Sequence, residues 1–125
     1  TSAVRTAIGT FRGSLKDMQA KDLGALVTKA AMQKSNLNSN DVDELIMGQV
    51  LTSATGQNPA RQAAIQAGIP NEKTAYVINQ VCGSGLRSVA AGYQSIISSD
   101  SNIIIAAGRI IFTIIYKKID WLFTY

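Results

Sequence analysis

The chain has 125 residues, of which 46% are apolar and 16% charged, a composition typical of one globular domain and unlike that of a disordered segment. Its 12 basic and 8 acidic residues give a net charge of +4, but the basic residues are scattered, which argues against nucleic-acid binding. One cysteine and no histidine exclude an internal disulfide and a zinc site built from Cys and His. We therefore expect a reducing compartment, the cytoplasm or an organelle matrix.

The ends of the chain show no targeting or membrane-spanning pattern. The first residues, Thr1 to Arg5, lack an initiator Met and a signal-peptide pattern, so we expect an interior fragment of a longer protein. The most apolar stretch, residues 103–115, contains Arg109 and has only 13 residues. A membrane-spanning helix needs about 20 apolar residues, so we expect no membrane partner.

The first predicted helix covers residues 20–34, and Asn36 is suited to a left-handed stop after it. Apolar residues recur in this helix at spacings of three and four and predict one buried stripe of Leu23, Leu26, Val27, Ala30 and Ala31. The compact apolar run Leu45-Ile46-Met47, followed by Gly48, predicts a buried strand with Met47 in the core.

A second helix is predicted over residues 59–67. Asn58 can accept hydrogen bonds from the first free amides, and Pro59 loses nothing at the first helical position, while Gly68 and Pro70 supply the stop. Arg61, near the start of this helix, is interpreted as an exposed or locally paired side chain and not as a catalytic one.

The β-branched and aromatic run from Tyr76 to Asn79 predicts a strand that leads directly into Cys82. A helix over residues 83–98 follows, with one face formed by Leu86, Val89, Ala90, Tyr93 and Ile97, of which Tyr93 is assigned to the core. The apolar run Ile103 to Ala107 predicts another strand, stopped by Gly108. Strands alternating with helices indicate an α/β fold with a mainly parallel sheet.

The composition changes after Gly108. Residues 109–125 contain five of the eight aromatic residues and have no clear helix or strand period. One interpretation is a final apolar strand or helix that packs on the sheet. The other is an out-of-frame or read-through sequence from an AT-rich gene. We therefore predict a domain over residues 1–108 and an atypical tail over residues 109–125.

Cys82 is the candidate nucleophile. A helix N-terminus places free backbone N–H groups and the positive end of the helix dipole beside sulfur, and this favours the thiolate that attacks a thioester. Gly83 and Gly85 remove side chains where an acyl group and a long pantetheine arm would approach, and the Cys82 amide is suited to donate to an oxyanion.

This segment has two other interpretations. A lone cysteine is usually a small buried hydrophobic residue, and only its position before a predicted helix favours catalysis. Gly83-Ser84-Gly85 also suggests a phosphate-binding loop, but Ser88 occupies the third glycine position of the dinucleotide pattern and no Lys-Ser/Thr pair follows. Nucleotide binding is therefore disfavoured.

The segment from Ile78 to Val89, INQVCGSGLRSV, resembles the acyl-enzyme signature of thiolases. Residues 2–9, SAVRTAIG, and residues 56–64, GQNPARQAA, also resemble thiolase segments, the latter most of all those of the biosynthetic acetyl-CoA acetyltransferases. The resemblance covers residues 1–108 and implies the incomplete first half of a thiolase fold, with the element order β-α-β-α-β-α-β.

By this resemblance Cys82 would accept an acyl group from acyl-CoA, and an acetyl-CoA carbanion would then attack it to give a 3-ketoacyl-CoA, or the reverse. Gly83, Ser84 and Gly85 would contact the substrate. Coenzyme A thioesters would be the substrates, with no cofactor and no metal. Thiolases also pair through the sheet that contains the strand before the nucleophile, which implies a homo-oligomer, a dimer or tetramer.

The chain departs from the family pattern in two ways. Thiolases use a histidine, a second cysteine and an Asn/His oxyanion hole from a later part of a longer chain, whereas these 125 residues contain no His and one Cys. After Gly108 the family continues with a second glycine, where this chain has Arg109. We therefore expect negligible carbon–carbon bond formation by this chain alone, while slow acylation of Cys82 stays open.

Two alternatives stand beside this interpretation. The chain could be a noncatalytic dimerisation module or the product of a degraded gene, which the absence of histidine favours. It could also belong to another group of condensing enzymes, such as the ketoacyl synthases, although residues 56–64 resemble thiolases more closely. In either case a partial fold would expose apolar faces, so we expect self-association.

Overall fold

A computed structural model describes residues 1–109 of the chain. The elements in chain order are α1 (Ala20–Lys34), a short 3₁₀ helix (Ser39–Asp41), β1 (Glu44–Gln49), α2 (Pro59–Ala67), β2 (Thr74–Ile78), α3 (Ser84–Ile97) and β3 (Ile104–Arg109). This alternation confirms the α/β fold class, and the predicted bounds of α1 and α2 are confirmed residue for residue.

The three strands form a parallel sheet in the order β2-β1-β3. Met47 of β1 is level with Val77 of β2 and Ala107 of β3, and these side chains share the face that α1 and α2 cover. Gly48 and its neighbour in register, Gly108, lie on the opposite face, where α3 packs. The sheet is therefore covered on both sides, with Leu45 and Met47 fully buried as predicted.

The expected leading strand is not formed, since residues 1–19 contain no strand. Ser2 and Ala3, near the start of this segment, lie instead against the C-terminal end of α1. Ser2 Oγ donates to Ala31 O at 3.0 Å, and Lys34 Nζ donates to Ala3 O at 3.2 Å. These contacts hold Ser2 and Ala3 against α1, and the described order of elements begins with a helix.

The predicted buried stripe of α1 is wrong. Leu26 is 53% exposed, and the buried positions are Gly24, Ala25, Thr28 and Met32. The reason is the neighbour that α1 meets, because α2 presents only small side chains to the core: Ala60, Ala63, Ala64 and Ala67. Two helices with such surfaces approach closely, and the larger Leu26 is left outside the contact.

The predicted core face of α3 is also wrong, and Tyr93 is 66% exposed. The buried residues of α3 are Ser84, Ser88 and Gly92. A Cβ at Gly92 would lie 3.2 Å from Ile104 Cγ2, so α3 lies too close to the sheet for larger residues. We call the outward side the α3 apolar face; its exposed residues are Leu86, Val89, Tyr93, Ile96 and Ile97.

The predicted stop signals of the helices are confirmed, but the strand stop is not. Asn36 has φ 52° after α1, and Gly68 has φ 91° after α2. Asn58 Oδ1 accepts the Arg61 amide at 3.1 Å as the cap of α2. Gly108, however, lies inside β3, because it pairs with Gly48 and the strand continues to Arg109.

Asp43 joins the start of β1 to its neighbours on both sides. Its Oδ2 accepts the amides of Asn102 at 2.9 Å and Ile103 at 3.1 Å. Its Oδ1 accepts from Lys73 Nζ at 3.3 Å. The two amide hydrogen bonds, followed by the bond from Lys73, lower the pKa of Asp43.

This lowered pKa predicts a loss of stability in acid. The contribution of Asp43 is fully present above its unfolded value of about 4 and is lost as the pH falls through the lower folded value. Asp43→Asn should therefore lower the melting temperature at pH 7 and reduce its dependence on pH below 4. Melting curves of both proteins from pH 2 to 7 test this, and parallel curves would contradict it.

No helix within residues 1–109 is long and apolar enough to cross a membrane. The predicted atypical tail begins at Arg109, which the structure places at the end of β3. The remainder of that tail, residues 110–125, lies outside the described residues.

Candidate active site

Cys82 lies in the connection between β2, which ends at Ile78, and α3, which begins at Ser84. The connection leaves the carboxyl end of the parallel strand and enters the N-terminus of the helix, as the sequence predicts. Cys82 is exposed. The structure therefore displays the thiol beside the first turn of α3 and does not bury it as an ordinary apolar residue.

Ser84 holds this turn together. Its Oγ accepts the Gln80 amide at 2.8 Å and donates to Val81 O at 2.6 Å, and only 4% of the residue is exposed. The hydroxyl is thus occupied within the turn. Among the three residues predicted to contact substrate, Ser84 has its side chain committed to positioning Cys82.

Val81, the residue before the nucleophile, has φ 48°. A β-branched residue is disfavoured in this left-handed region, so its conformation must be imposed by neighbouring contacts. Asn79 Oδ1 accepts the Val81 amide at 3.0 Å, while Asn79 Nδ2 donates to Val50 O at 2.9 Å. Asn79 therefore shapes the turn through hydrogen bonds on both sides of its amide group.

Most backbone amides of residues 81–84 donate hydrogen bonds within the turn. Gly83 N donates to Gln80 O at 2.9 Å and Ser84 N donates to Val81 O at 3.1 Å. The Cys82 amide, in contrast, has no hydrogen-bond acceptor within residues 1–109. It is the one backbone donor in residues 81–84 left available to an oxygen atom bound next to the sulfur.

Glycines fix the height of α3 above the sheet. A Cβ on Gly48 would overlap the carbonyl group of Ser84 and lie 2.6 Å from Gly85 N. A Cβ on Gly108 would lie 2.7 Å from Gly85 Cα. Two strand glycines thus allow the first turn of α3 to rest directly on β1 and β3. A Cβ on Gly85 itself would meet only Gly108 Cα, at 3.4 Å.

Ser88 adds a polar link at the same place. It is fully buried, and its Oγ lies 2.8 Å from Ala107 O and 2.7 Å from Gly85 O. Sequence reasoning used Ser88 only to reject a dinucleotide pattern and missed this role, as it missed the roles of Gly48 and Gly108. A signal was present, because glycines followed two predicted strands at their carboxyl ends.

Cys82, Ser84 and Gly85 line a cavity of about 1300 Å³. Residues 1–10, the inner side of α1 and the length of β3 form its other walls. A cavity of this size is large enough for part of a coenzyme-sized ligand. Gly83 is not among its lining residues; it caps the N-terminus of α3.

No described side chain makes a hydrogen bond to Cys82. Arg61, the other residue considered near the site, donates from Nη1 to Lys73 O at 2.5 Å and from Nη2 to Asn71 O. It is locally paired, as predicted, and holds the loop before β2. The described site therefore consists of a thiol, a free amide and a helix N-terminus, without a neighbouring base.

A comparison with protein-family models matches residues 1–113 to the thiolase N-terminal domain. The chain belongs to the thiolase family. Thiolase relatives also share its sequence: it is 51% identical over 108 residues to an acetyl-CoA acetyltransferase from Paracoccus denitrificans. It is 50% identical over 107 residues to an acetyl-CoA acetyltransferase from Escherichia coli.

The solved structures agree with this assignment. The Acat5 thiolase from Ascaris suum, in complex with coenzyme A, matches with a TM-score of 0.86 and 39% sequence identity over 88% of the chain. This confirms the partial thiolase-like fold. The chain spans 28% of the length of the Paracoccus denitrificans protein and 29% of the Ascaris suum chain.

Proposed function

We propose that this chain supplies the acyl-accepting cysteine of an acetyl-CoA acetyltransferase. The observation that carries the proposal is the exposed Cys82 thiol beside its own free amide at the N-terminus of α3. Thiol and amide stand next to each other on one residue. A nucleophile and an oxyanion donor in that arrangement suit attack on a thioester carbonyl.

In the proposed step, the Cys82 thiolate attacks the carbonyl carbon of acetyl-CoA and forms a new carbon–sulfur bond. The carbonyl oxygen becomes an oxyanion, to which the Cys82 amide donates. The intermediate collapses, the bond to the sulfur of coenzyme A breaks, and coenzyme A leaves and takes up a proton. The products are acetyl-Cys82 and free coenzyme A, with no metal or cofactor involved.

In the second half of the proposed reaction, the carbanion of another acetyl-CoA attacks acetyl-Cys82 and gives acetoacetyl-CoA. Forming that carbanion requires a base. The 125 residues contain no histidine and no second cysteine, so they lack the groups that thiolases use for it. General acid–base assistance is worth about 10²- to 10⁴-fold, and we expect the chain alone to stop at the acyl-enzyme.

Of the residues predicted to bind substrate, Gly83 and Gly85 keep this role through their backbones in the proposal. Ser84 contributes by fixing the turn. The reducing cytoplasm or organelle matrix proposed for the protein suits a free nucleophilic thiol.

Release of coenzyme A tests the acyl transfer. Incubation with acetyl-CoA should release at most one equivalent of coenzyme A per chain, measured by chromatography, and should form no acetoacetyl-CoA. Cys82→Ala should release none, because it lacks the nucleophile. Cys82→Ala combined with Ser98→Cys, which moves the single thiol to the exposed C-terminal end of α3, is the matched control and should react at the slow rate of a free thiol. Equal release by wild type and Cys82→Ala would contradict the proposal.

A noncatalytic role in dimerisation is the second candidate. It is favoured by the outer edge of β2, which pairs with no other strand within residues 1–109, and by the exposed α3 apolar face. We propose that two copies, or this chain and a longer homologue, pair through the β2 edge. Sedimentation equilibrium of the chain should show a dimer. A monomer at all concentrations that also releases no coenzyme A would leave neither function standing.

A further inference from the structure

The backbone of Val81 determines where the Cys82 amide points. The peptide group between these two residues is planar and carries both the Val81 carbonyl and the Cys82 N–H, so the φ and ψ angles of Val81 aim that N–H. Val81 has φ 48°, in the left-handed region that a β-branched residue rarely adopts. The residue is 63% exposed, so packing contributes little to holding it there. Its conformation therefore depends mainly on hydrogen bonds.

Two side chains hold Val81, one at each end of the residue. Asn79 Oδ1 accepts the Val81 amide at 3.0 Å, and the Ser84 hydroxyl donates to the Val81 carbonyl at 2.6 Å. The Ser84 amide donates to the same carbonyl at 3.1 Å. Holding both the N–H and the C=O of one residue restricts rotation about its N–Cα and Cα–C bonds. Asn79 and Ser84 together therefore keep Val81 at its positive φ.

Asn79 is itself anchored to the central strand of the sheet. Its Nδ2 donates at 2.9 Å to the carbonyl of Val50, the residue that directly follows β1. Because the nitrogen of the side-chain amide is bound there, the oxygen of the same amide is oriented toward the Val81 N–H. The turn that displays Cys82 is thus held in place from β1 as well as from its own strand, β2.

Loss of the Asn79 oxygen would change the direction of one backbone donor. Without that acceptor, Val81 can relax to the negative φ that its side chain prefers. The peptide group then rotates, and the Cys82 N–H turns away from its present direction. This N–H is the backbone donor in residues 81–84 that makes no hydrogen bond within residues 1–109. The thiol, which is exposed, stays accessible.

We propose that Asn79 is a positioning residue for acyl transfer. By holding Val81 at positive φ from the end of β1, it aims the Cys82 amide at the oxygen of the thioester that the thiol attacks. Asn79 makes no hydrogen bond to Cys82 within the described residues and acts through Val81. The inference rests on the proposed function, since the direction of this amide matters only if Cys82 attacks a thioester.

Two reactions of the same thiol test this role in the 125-residue chain. Acetylation by acetyl-CoA, measured as release of coenzyme A, passes through an oxyanion. Alkylation by iodoacetamide displaces iodide from a saturated carbon and needs no oxyanion donor. Asn79→Ala should lower the acetylation rate roughly ten- to hundredfold, because the donor is misdirected. The alkylation rate at the same pH should stay within about twofold of wild type, because it depends on the thiolate alone.

The ratio of the two rates separates positioning from a general loss of structure, which would change both rates together. Asn79→Ser should recover most of the ratio, because a serine hydroxyl accepts, more weakly, from the amide two residues on. Asn71→Ala, at an exposed asparagine in the loop before β2, is the matched control and should leave the ratio unchanged. If Asn79→Ala does not fold, Asn79→Gln, whose longer side chain displaces the acceptor, should still lower the ratio.

Glycine at position 81 provides a second measurement. Glycine adopts a positive φ without steric cost, so Asn79→Ala should lower the ratio less in a Val81→Gly background than in wild type. A ratio unchanged by Asn79→Ala, or lowered equally in both backgrounds, would overturn the positioning role and leave the acyl transfer standing. A wild-type chain that releases no coenzyme A would overturn both.

Discussion

Gly48→Ala should destabilise the chain more than alanine at the other glycines near the site, Gly83, Gly85 and Gly108. The new Cβ would overlap the backbone carbonyl of Ser84 and lie 2.6 Å from Gly85 N, and backbone atoms cannot rotate away. Overpacking of this kind costs about 1–3 kcal/mol or more, so α3 must lift from β1 or the chain must unfold. Urea unfolding monitored by circular dichroism measures the loss.

Gly85→Ala is the matched control on the other side of the same contact. Its Cβ would meet Gly108 Cα at 3.4 Å, which is ordinary van der Waals contact. Alanine inside a helix is favoured over glycine by up to about 1 kcal/mol, so this variant should be neutral or stabilising. Equal losses of stability in the two variants would show that the strand glycines do not set the height of α3.

Ser84→Ala should loosen the turn that displays Cys82. The substitution removes the Ser84 hydroxyl, which is the one acceptor of the Gln80 amide within residues 1–109. It also removes one of the two hydrogen bonds that Ser84 donates to Val81 O and leaves the bond from the Ser84 amide. Losing such part-buried hydrogen bonds costs about 0.5–1.5 kcal/mol each. Because Val81 at φ 48° is strained, the turn should then relax, and the thiol should lose its position relative to its own amide.

The measurement for Ser84→Ala is the rate of coenzyme A release together with the free energy of unfolding. Ser98→Ala is its control, since Ser98 is exposed at the other end of α3 and, within residues 1–109, its hydroxyl bonds only to the close neighbours Ser95 and Asp100. That control should change stability by less than about 0.5 kcal/mol and leave acylation unchanged. An unchanged acylation rate in Ser84→Ala would remove its positioning role.

Features with local causes were predicted well from the sequence. The start of α2 depends on Asn58 and Pro59, and its end on Gly68, all of which act within one turn of the chain. The buried strand through Met47 follows from a short continuous apolar run. Cys82 at the junction of strand and helix follows from the order of two such segments, and the surrounding motif supported the family.

The inward faces of the helices could not be predicted, because they depend on distances between elements. Leu86 and Tyr93 have the right spacing for a core face, yet small residues face the sheet. Closeness of α3 to β1 and β3 is set by glycines that are far apart in sequence, at positions 48 and 108. The periodicity of apolar residues indicates which residues share one face of a helix. It does not indicate how close that face lies to the sheet.

The leading strand failed for a related reason. A strand forms only beside a partner strand, and Ser2 and Ala3 bond instead to the C-terminal end of α1. The site likewise needed the structure, since the free Cys82 amide and the buried hydroxyls of Ser84 and Ser88 are hydrogen-bonding facts. The predicted boundary between residues 108 and 109 stays a prediction.

If Cys82 is an acyl-accepting nucleophile, acetyl-CoA leaves an acetyl group on its sulfur. After incubation with acetyl-CoA, tandem mass spectrometry of peptides should place an acetyl group on Cys82, and neutral hydroxylamine should remove it because it is a thioester. An acetyl group found only on lysines, stable to hydroxylamine, with Cys82 unmodified, would contradict the account.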